Sequence, residues 1–208
     1  MSLYGLNDMS IGVFGGTFDP PHLGHLILAE EADDQLGLDR LLFVLTADPP
    51  HKKDQLISSL NIRLKLLEAA IEGNSRFELS RVDIDRPPPH YAVDTVKIIA
   101  FQFPGAEIVY LMGSDSLVEL STWHDPQGFV ESCSTLGVLC RPDYPANLSI
   151  LEAQIPGIST KVKFVDAPLL EIASSEIRER VLQNRAYRYY LPNSVYNLIR
   201  EQNLYRGY

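Results

Sequence analysis

Short apolar runs that alternate with longer segments of helical period constrain this chain more than any other feature. Six runs rich in β-branched residues are typical of strands, at residues 11–14, 40–45, 77–84, 108–112, 136–140 and 162–165. Between them, residues 23–36, 61–71 and 92–103 have the apolar spacing of amphipathic helices, the second of them with Ser58 or Ser59 as its cap. Strands that alternate with helices form βαβ units, so the sequence predicts an α/β fold with a mainly parallel sheet.

Two more helical segments, residues 175–184 and 192–201, follow the last predicted strand. They indicate a helical cap at the C-terminus of a Rossmann-like, doubly wound sheet that has helices on both faces. At about 150 residues per domain, 208 residues favour a single domain. We expect its ordered core to span about residues 10–205, because the first eight residues carry no pattern.

The charge balance argues against a broad nucleic-acid-binding face. Lys and Arg number 18 against 27 Asp and Glu, which gives a net charge of −9, whereas binding to a phosphate backbone needs clustered cations. Cys133 and Cys140 lack metal-ligand spacing, so a reducing cytoplasm is the expected location. No apolar run approaches the roughly 20 residues of a membrane span. We therefore expect no nucleic-acid or membrane partner, and the sequence leaves a homo-oligomer open.

The turn after the first predicted strand has the features of an anion site. Its sequence is G-G-T-F-D-P-P-H-L-G-H, residues 15–25. Gly15 and Gly16 allow a ligand to approach the backbone, and the helix that follows directs free N–H groups to the same place. His22 and His25, three residues apart at the start of that helix, fall on one face and can donate to phosphate oxygens.

Other interpretations of this turn remain open on the residues alone. It lacks the P-loop and the dinucleotide-binding patterns, and it could be a structural turn with two surface histidines. A zinc site of His22, His25 and Asp19 would lack a fourth ligand at a recognised spacing. A second glycine-bearing turn, Gly113 to Ser116, follows the fourth strand, and ligands of doubly wound sheets bind where these strand ends meet.

The C-terminal segment I-A-S-S-E-I-R, residues 172–178, also points to an anion. Ser174 or Ser175 suits a helix N-cap, which would place Arg178 in the first helical turn, where the helix dipole disfavours a cation. A bound anion would explain that arginine. The alternative is a solvent-facing Arg178 paired with Glu171 or Glu179.

Together these segments resemble the nucleotidyltransferases of the H-x-G-H superfamily, and most closely the bacterial nicotinate mononucleotide adenylyltransferases. The resemblance covers about residues 10–205 and rests on five blocks in order: residues 15–25, P-P-H-K at 49–52, Y-A-V-D-T at 91–95, G-S-D-S-L at 113–117 with Trp123 behind it, and residues 172–178. It implies adenylyl transfer from ATP to nicotinate mononucleotide. In the last block Ala173 and Ser175 depart from the usual Ile-Ser-Ser-Thr.

The resemblance also implies roles for individual residues. The residues expected to act on the reacting phosphates are His22, His25 and Arg178. Those expected to bind ATP are Gly15, Gly16, Thr17, Phe18, His25, Gly113, Asp115, Ser174, Ser175 and Arg178. Those expected to bind the mononucleotide are Gly16, His22, Lys52, Thr95, Trp123, His124 and Arg141. Mg²⁺ is expected to bridge phosphate oxygens, with water rather than protein as its other ligands.

Several alternatives stay open at this point. Trp123 could be core packing instead of a platform for the pyridine ring, Asp115 could be a helix cap, and Lys52 could belong to a solvated patch with Lys53. Rival functions are transfer to nicotinamide mononucleotide or phosphopantetheine, cytidylyl transfer, and a nucleotide sensor without catalysis.

Overall fold

A computed structural model of the chain describes residues 9–47, 57–139 and 147–207. Its strands are β1 Ser10–Gly16, β2 Arg40–Leu45, β3 Phe77–Ser80, β4 Glu107–Gly113, β5 Thr135–Leu139 and β6 Val162–Val165. All six belong to one parallel sheet in the order β3-β2-β1-β4-β5-β6. The order reverses between β1 and β4, which places the predicted switch point at the carboxyl ends of these two strands.

Eight α-helices surround this sheet in the described part of the chain. They are α1 Leu23–Leu36, α2 Leu60–Ile71, α3 Ala92–Gln102, α4 Ser114–Val118, α5 Pro126–Ser132, α6 Leu148–Gln154, α7 Ser174–Leu182 and α8 Asn193–Glu201. The Rossmann-like fold class predicted from the sequence is therefore confirmed. No helix of the described residues is long and apolar enough to cross a membrane.

The two faces of the sheet explain why its strands are continuous apolar runs. Along β1, Val13 packs with α3, α4, α5 and α6 on one face, and its neighbour Phe14 packs with α1, α2, α7 and α8 on the other. Side chains of successive strand residues point to opposite faces, so a strand covered on both sides needs apolar residues at every position. The C-terminal helices α7 and α8 thus belong to the same layer as α1.

The main differences from the sequence predictions concern one strand end, two short helices and one helix cap. The third strand ends at Ser80 instead of residue 84, because the backbone then turns with the N–H groups of Ile84 and Asp85 bonded to the Arg81 carbonyl. The short helices α5 and α6 were not predicted, since seven residues are too few to show a helical period. Ser59 does precede α2, but its hydroxyl makes no capping hydrogen bond.

Candidate active site

The loop between β1 and α1, residues 17–22, forms the floor of the predicted anion site. Phe18 has a left-handed backbone (φ 48°), and its buried ring lies against Gly16. A Cβ at position 16 would lie 2.7 Å from Phe18 Cζ, so this close approach requires glycine. The Phe18 side chain packs with Phe14 and Phe43 in the core, and its role toward ATP stays a prediction.

His22 and His25 form a stacked pair at the start of α1. Their ring centroids lie 3.7 Å apart, and the His22 backbone N–H donates to His25 Nδ1 over 3.2 Å. His22 is only 6% exposed, and its Nδ1 has no hydrogen-bond partner among the described residues. Burial lowers the pKa of His22 to about 4. In the ligand-free protein at neutral pH, His22 is therefore a neutral imidazole.

Gly24, between the two histidines, is a site residue to which the sequence analysis gave no role. The His22 ring folds back over it, so a Cβ at position 24 would lie 3.0 Å from His22 Nδ1 and 3.1 Å from His22 Cε1. Contacts that short are rare, and the ring would have to move. The glycine of H-x-G-H therefore sets the position of the first histidine, which the spacing of the two histidines alone does not reveal.

Arg178 reaches the same loop from α7. Its Nη1 donates to the Asp19 carbonyl over 2.7 Å, and the hydroxyl of Ser174 donates to the Pro20 carbonyl over 2.8 Å. These two bonds dock the start of α7 on the β1–α1 loop and bring Arg178 to the histidine end of the site.

Two details of the α7 prediction are wrong. The N-cap is Ala173, not a serine, so Arg178 is the fifth helical residue and lies beyond the first turn, where the dipole argument is weak. The surface-pair alternative also fails, because the hydrogen bond that the described structure gives Arg178 goes to Asp19 and not to Glu171 or Glu179. Ser175 is exposed.

Asp19 has the partners of a structural residue and not those of a zinc ligand. It is 2% exposed, Oδ1 accepts from the hydroxyl of Tyr205, and Oδ2 accepts from the backbone N–H of Ser58. Across the described ranges, no group of three or more His, Cys, Asp or Glu side chains is placed to hold a metal ion. Because both carboxylate oxygens of Asp19 are engaged within the protein, this geometry argues against the zinc interpretation of His22, His25 and Asp19.

The buried side chain of Arg63 holds this loop in place through hydrogen bonds to backbone carbonyls. Arg63 of α2 is 3% exposed and donates to the carbonyls of Ser58, Thr17, Thr46 and Ala47. A buried guanidinium is tolerated when carbonyl dipoles satisfy its donors. Sequence periodicity missed this residue, since a charged side chain in an amphipathic helix is expected on the solvent face.

Trp123 lies on the other side of the strand ends and is half-buried. Its ring is 5.3 Å from that of Phe129 and 6.4 Å from that of Tyr110. A Cβ on Gly15 would lie 3.2 Å from Tyr110 Oη, so Tyr110 links Trp123 to the end of β1. Burial raises the pKa of Tyr110, which keeps this hydroxyl protonated. Trp123 thus packs partly against the core, so the core-packing interpretation holds in part, and its role as a platform for the pyridine ring stays a prediction.

Two further predicted mononucleotide residues, Thr95 and His124, lie at the start of α3. The exposed His124 ring stacks on Tyr91, the residue that precedes α3, at 3.9 Å. Thr95 is buried: its hydroxyl donates to Asp83 over 2.7 Å and accepts from Arg86, and its backbone N–H donates to the Tyr91 carbonyl. The hydroxyl and the backbone N–H of Thr95 are thus both bonded within the protein. Thr95 therefore stabilises the start of α3 and is less suited to donate a hydrogen bond to the mononucleotide.

The second glycine-bearing turn lies beside β1, as expected. Gly113 ends β4 and is the N-cap of α4, and Asp115 lies in the first turn of that helix. The interpretation of Asp115 as the N-cap is therefore wrong, while its role toward ATP stays a prediction. Lys52 and Arg141 lie outside the described residues, and their roles also stay predictions.

Comparisons with known proteins agree with this geometry. The sequence model of the cytidylyltransferase-like family matches residues 13–180. The chain belongs to the cytidylyltransferase-like family. A protein of Thermomicrobium roseum named "Probable nicotinate-nucleotide adenylyltransferase" is 43% identical over 196 residues, 94% of this chain and 91% of its own length. A protein of the same name from Exiguobacterium sibiricum is 40% identical over 95% of this chain and 99% of its own length.

Solved structures of the same fold extend this result. Plasmodium falciparum nicotinic acid mononucleotide adenylyltransferase complexed with NaAD superposes with a TM-score of 0.77 over 95% of this chain and 97% of that one. Sequence identity is 19%, so this likeness shows the fold. With the 43% identical relative, it confirms the resemblance that the five sequence blocks indicated.

Proposed function

We propose that this protein transfers the adenylyl group of ATP to nicotinate mononucleotide, which yields nicotinate adenine dinucleotide and pyrophosphate, a step of NAD biosynthesis. The names of its relatives support the substrates, and the Plasmodium structure of the same fold holds NaAD. The observation that carries the proposal is the convergence of the His22–His25 pair and Arg178 on one loop at the switch point of the sheet.

The reaction needs no nucleophile from the protein. A phosphate oxygen of the mononucleotide attacks the α-phosphorus of ATP, the new P–O bond forms, and the bond between the α-phosphorus and the bridging oxygen of the β-phosphate breaks. The electron pair of that bond leaves with pyrophosphate. The protein must hold two polyanions in line and stabilise the charge that develops, which is catalysis by positioning and electrostatics.

The histidine pair and Arg178 divide this task. His22 and His25 donate to oxygens at the reacting phosphates. The Nδ1 atom of His22, which is buried without a partner among the described residues, is a polar atom that a ligand or water would satisfy. Arg178, anchored through one N–H on Asp19, presents its other donors to the β- and γ-phosphates. Mg²⁺ is expected to enter with ATP, where it would neutralise part of the phosphate charge.

The mononucleotide lies on the Trp123 side of the strand ends. Trp123 offers the pyridine ring a platform, and its position is fixed by Phe129 and Tyr110. The start of α3 is held by the hydrogen bonds of Asp83, Arg86 and Thr95, and the positive end of its helix dipole suits the substrate's carboxylate. A cytoplasmic location and the oligomeric state stay predictions.

A coupled pyrophosphate assay tests the proposal. The purified protein is given Mg²⁺ with ATP or CTP, and nicotinate mononucleotide, nicotinamide mononucleotide or phosphopantetheine, and the products are identified by mass. We expect pyrophosphate and nicotinate adenine dinucleotide in equal amounts from ATP and nicotinate mononucleotide. Faster turnover with CTP or with phosphopantetheine would replace the proposal with a sister activity, and binding of ATP without product in any combination would indicate a sensor.

A further inference from the structure

Asp19 joins three distant parts of the chain at the floor of the candidate active site. Its Oδ1 accepts from the Tyr205 hydroxyl over 2.7 Å, its Oδ2 accepts from the Ser58 N–H over 2.9 Å, and its carbonyl accepts from Arg178 Nη1 over 2.7 Å. A movement of the Asp19 carbonyl would therefore reach the Arg178 guanidinium that is bonded to it.

Tyr205 is held in place as a donor to this carboxylate. It lies four residues beyond α8, is 9% exposed, and packs in the core cluster of the α1 face. Its backbone is in the left-handed region (φ 63°), which is unfavourable for a bulky residue and persists only where the surroundings hold it. Burial first, and then the Asp19 carboxylate, raise the pKa of Tyr205, so the hydroxyl stays protonated and can donate.

We propose that Tyr205 is a positioning residue for adenylyl transfer, which holds Asp19 and through it the Arg178 guanidinium. The inference rests on the proposed function, since Arg178 matters here because it binds the phosphates of ATP. Without the hydroxyl, a buried carboxylate oxygen loses its donor, and such an oxygen moves or recruits water. Asp19 then shifts, and with it the carbonyl that orients Arg178. Tyr205 touches no substrate, so its effect on the reaction passes through that carbonyl.

Tyr205→Phe removes the hydroxyl and keeps the ring that packs in the core. We expect kcat to fall about tenfold, because a small misplacement of a charge-stabilising group has effects of this order. The KM for ATP should rise, while the KM for nicotinate mononucleotide should stay unchanged, since Trp123 and α3 are not attached to Asp19. Tyr187→Phe is the matched control: Tyr187 is also 9% exposed, but its ring contacts Tyr196 instead of Asp19, and kcat should not change.

A double-mutant cycle separates positioning from general stability. If Tyr205 acts through Arg178, then Tyr205→Phe should lower kcat no further in an Arg178→Ala background. All variants are assayed well below their melting temperatures, measured by circular dichroism. If Tyr205→Phe melts below the assay temperature, Asp19→Asn replaces it in the cycle, because it disturbs the same link from the other side.

The outcomes decide the inference and the proposed function separately. Wild-type kcat in Tyr205→Phe, equal losses in both backgrounds, or equal losses in Tyr187→Phe would overturn the inference. A wild-type protein that makes no dinucleotide would overturn the proposed function. In that case calorimetry with a non-hydrolysable ATP analogue decides the inference: affinity should fall several-fold in Tyr205→Phe and not in Tyr187→Phe, and equal affinities would refute it.

Discussion

Gly24→Ala tests whether the packing of the His22 ring on α1 is needed for catalysis. The new Cβ would lie 3.0 Å from His22 Nδ1 and 3.1 Å from Cε1, whereas ordinary contacts begin at 3.4 Å. The ring must therefore retreat by 0.3 to 0.4 Å, the difference between those distances. His25, stacked at 3.7 Å, restricts the directions in which it can move. Because a misplacement of about 1 Å costs roughly 100-fold, we expect kcat to fall about tenfold.

The same substitution should leave stability unchanged or slightly raise it. Alanine is favoured over glycine in helices by up to about 1 kcal/mol, which offsets the strain of the displaced ring. The assay is pyrophosphate release with saturating ATP and nicotinate mononucleotide, together with a thermal melt. Asp34→Ala is the control, because Asp34 is exposed on the same helix and far from its start. Wild-type kcat in Gly24→Ala, or a large loss of melting temperature, would refute the reasoning.

Four further expectations follow from the site. His25→Ala should lower kcat roughly 10² to 10³-fold without unfolding the protein, as judged by turnover and melting; wild-type turnover would contradict it. Arg178→Lys should not restore the activity lost in Arg178→Ala, because an ammonium lacks the forked donors of guanidinium. Full activity with lysine would show that Arg178 acts only as a positive charge. Trp123→Ala should raise the KM for nicotinate mononucleotide several-fold, leave the KM for ATP unchanged and lower the melting temperature by a few degrees; an unchanged mononucleotide KM would place the pyridine ring elsewhere. Below about pH 6.5, His22 in the unfolded chain takes up a proton, whereas the buried ring, with a pKa of about 4, does not. Burial of the neutral ring therefore contributes about 3 kcal/mol to the free energy of unfolding. This contribution is present above pH 6.5 and is lost as the pH falls through 4. His22→Gln should remove that part of the pH dependence of the free energy of unfolding, measured by denaturant titrations at several pH values. An unchanged pH dependence would show that the ring is hydrated.

The strand and helix pattern was predictable because it follows from local physics. Residues such as Val13 and Phe14 are apolar since both faces of the sheet are covered, and that requirement appears directly as a run in the sequence. Helices of eleven or more residues show their period, whereas α5 and α6, with seven each, do not. The short Asp125–Pro126 start of α5 was a usable signal, since an aspartate cap before proline is a common helix beginning.

The site was only partly predictable for a different reason. His22, His25 and Gly16 lie in one short segment, so their proximity follows from the chain itself. Arg178 was found by its motif, but its physical explanation was wrong, because the arginine is placed by the Asp19 carbonyl and not by the helix dipole. Tyr205 gave no signal, since its partner is 186 residues away.

The sequence by itself determined the class of fold, the family and the segment for which we propose the phosphate chemistry. Each depends on periodicity or on residues that are neighbours along the chain. Only the tertiary structure decided that His22 is neutral, that Trp123 is half core and half surface, and that Asp19 connects Tyr205 with Arg178. Burial and long-range hydrogen bonds set these properties, and both arise when elements far apart in sequence pack against each other, which no local pattern encodes.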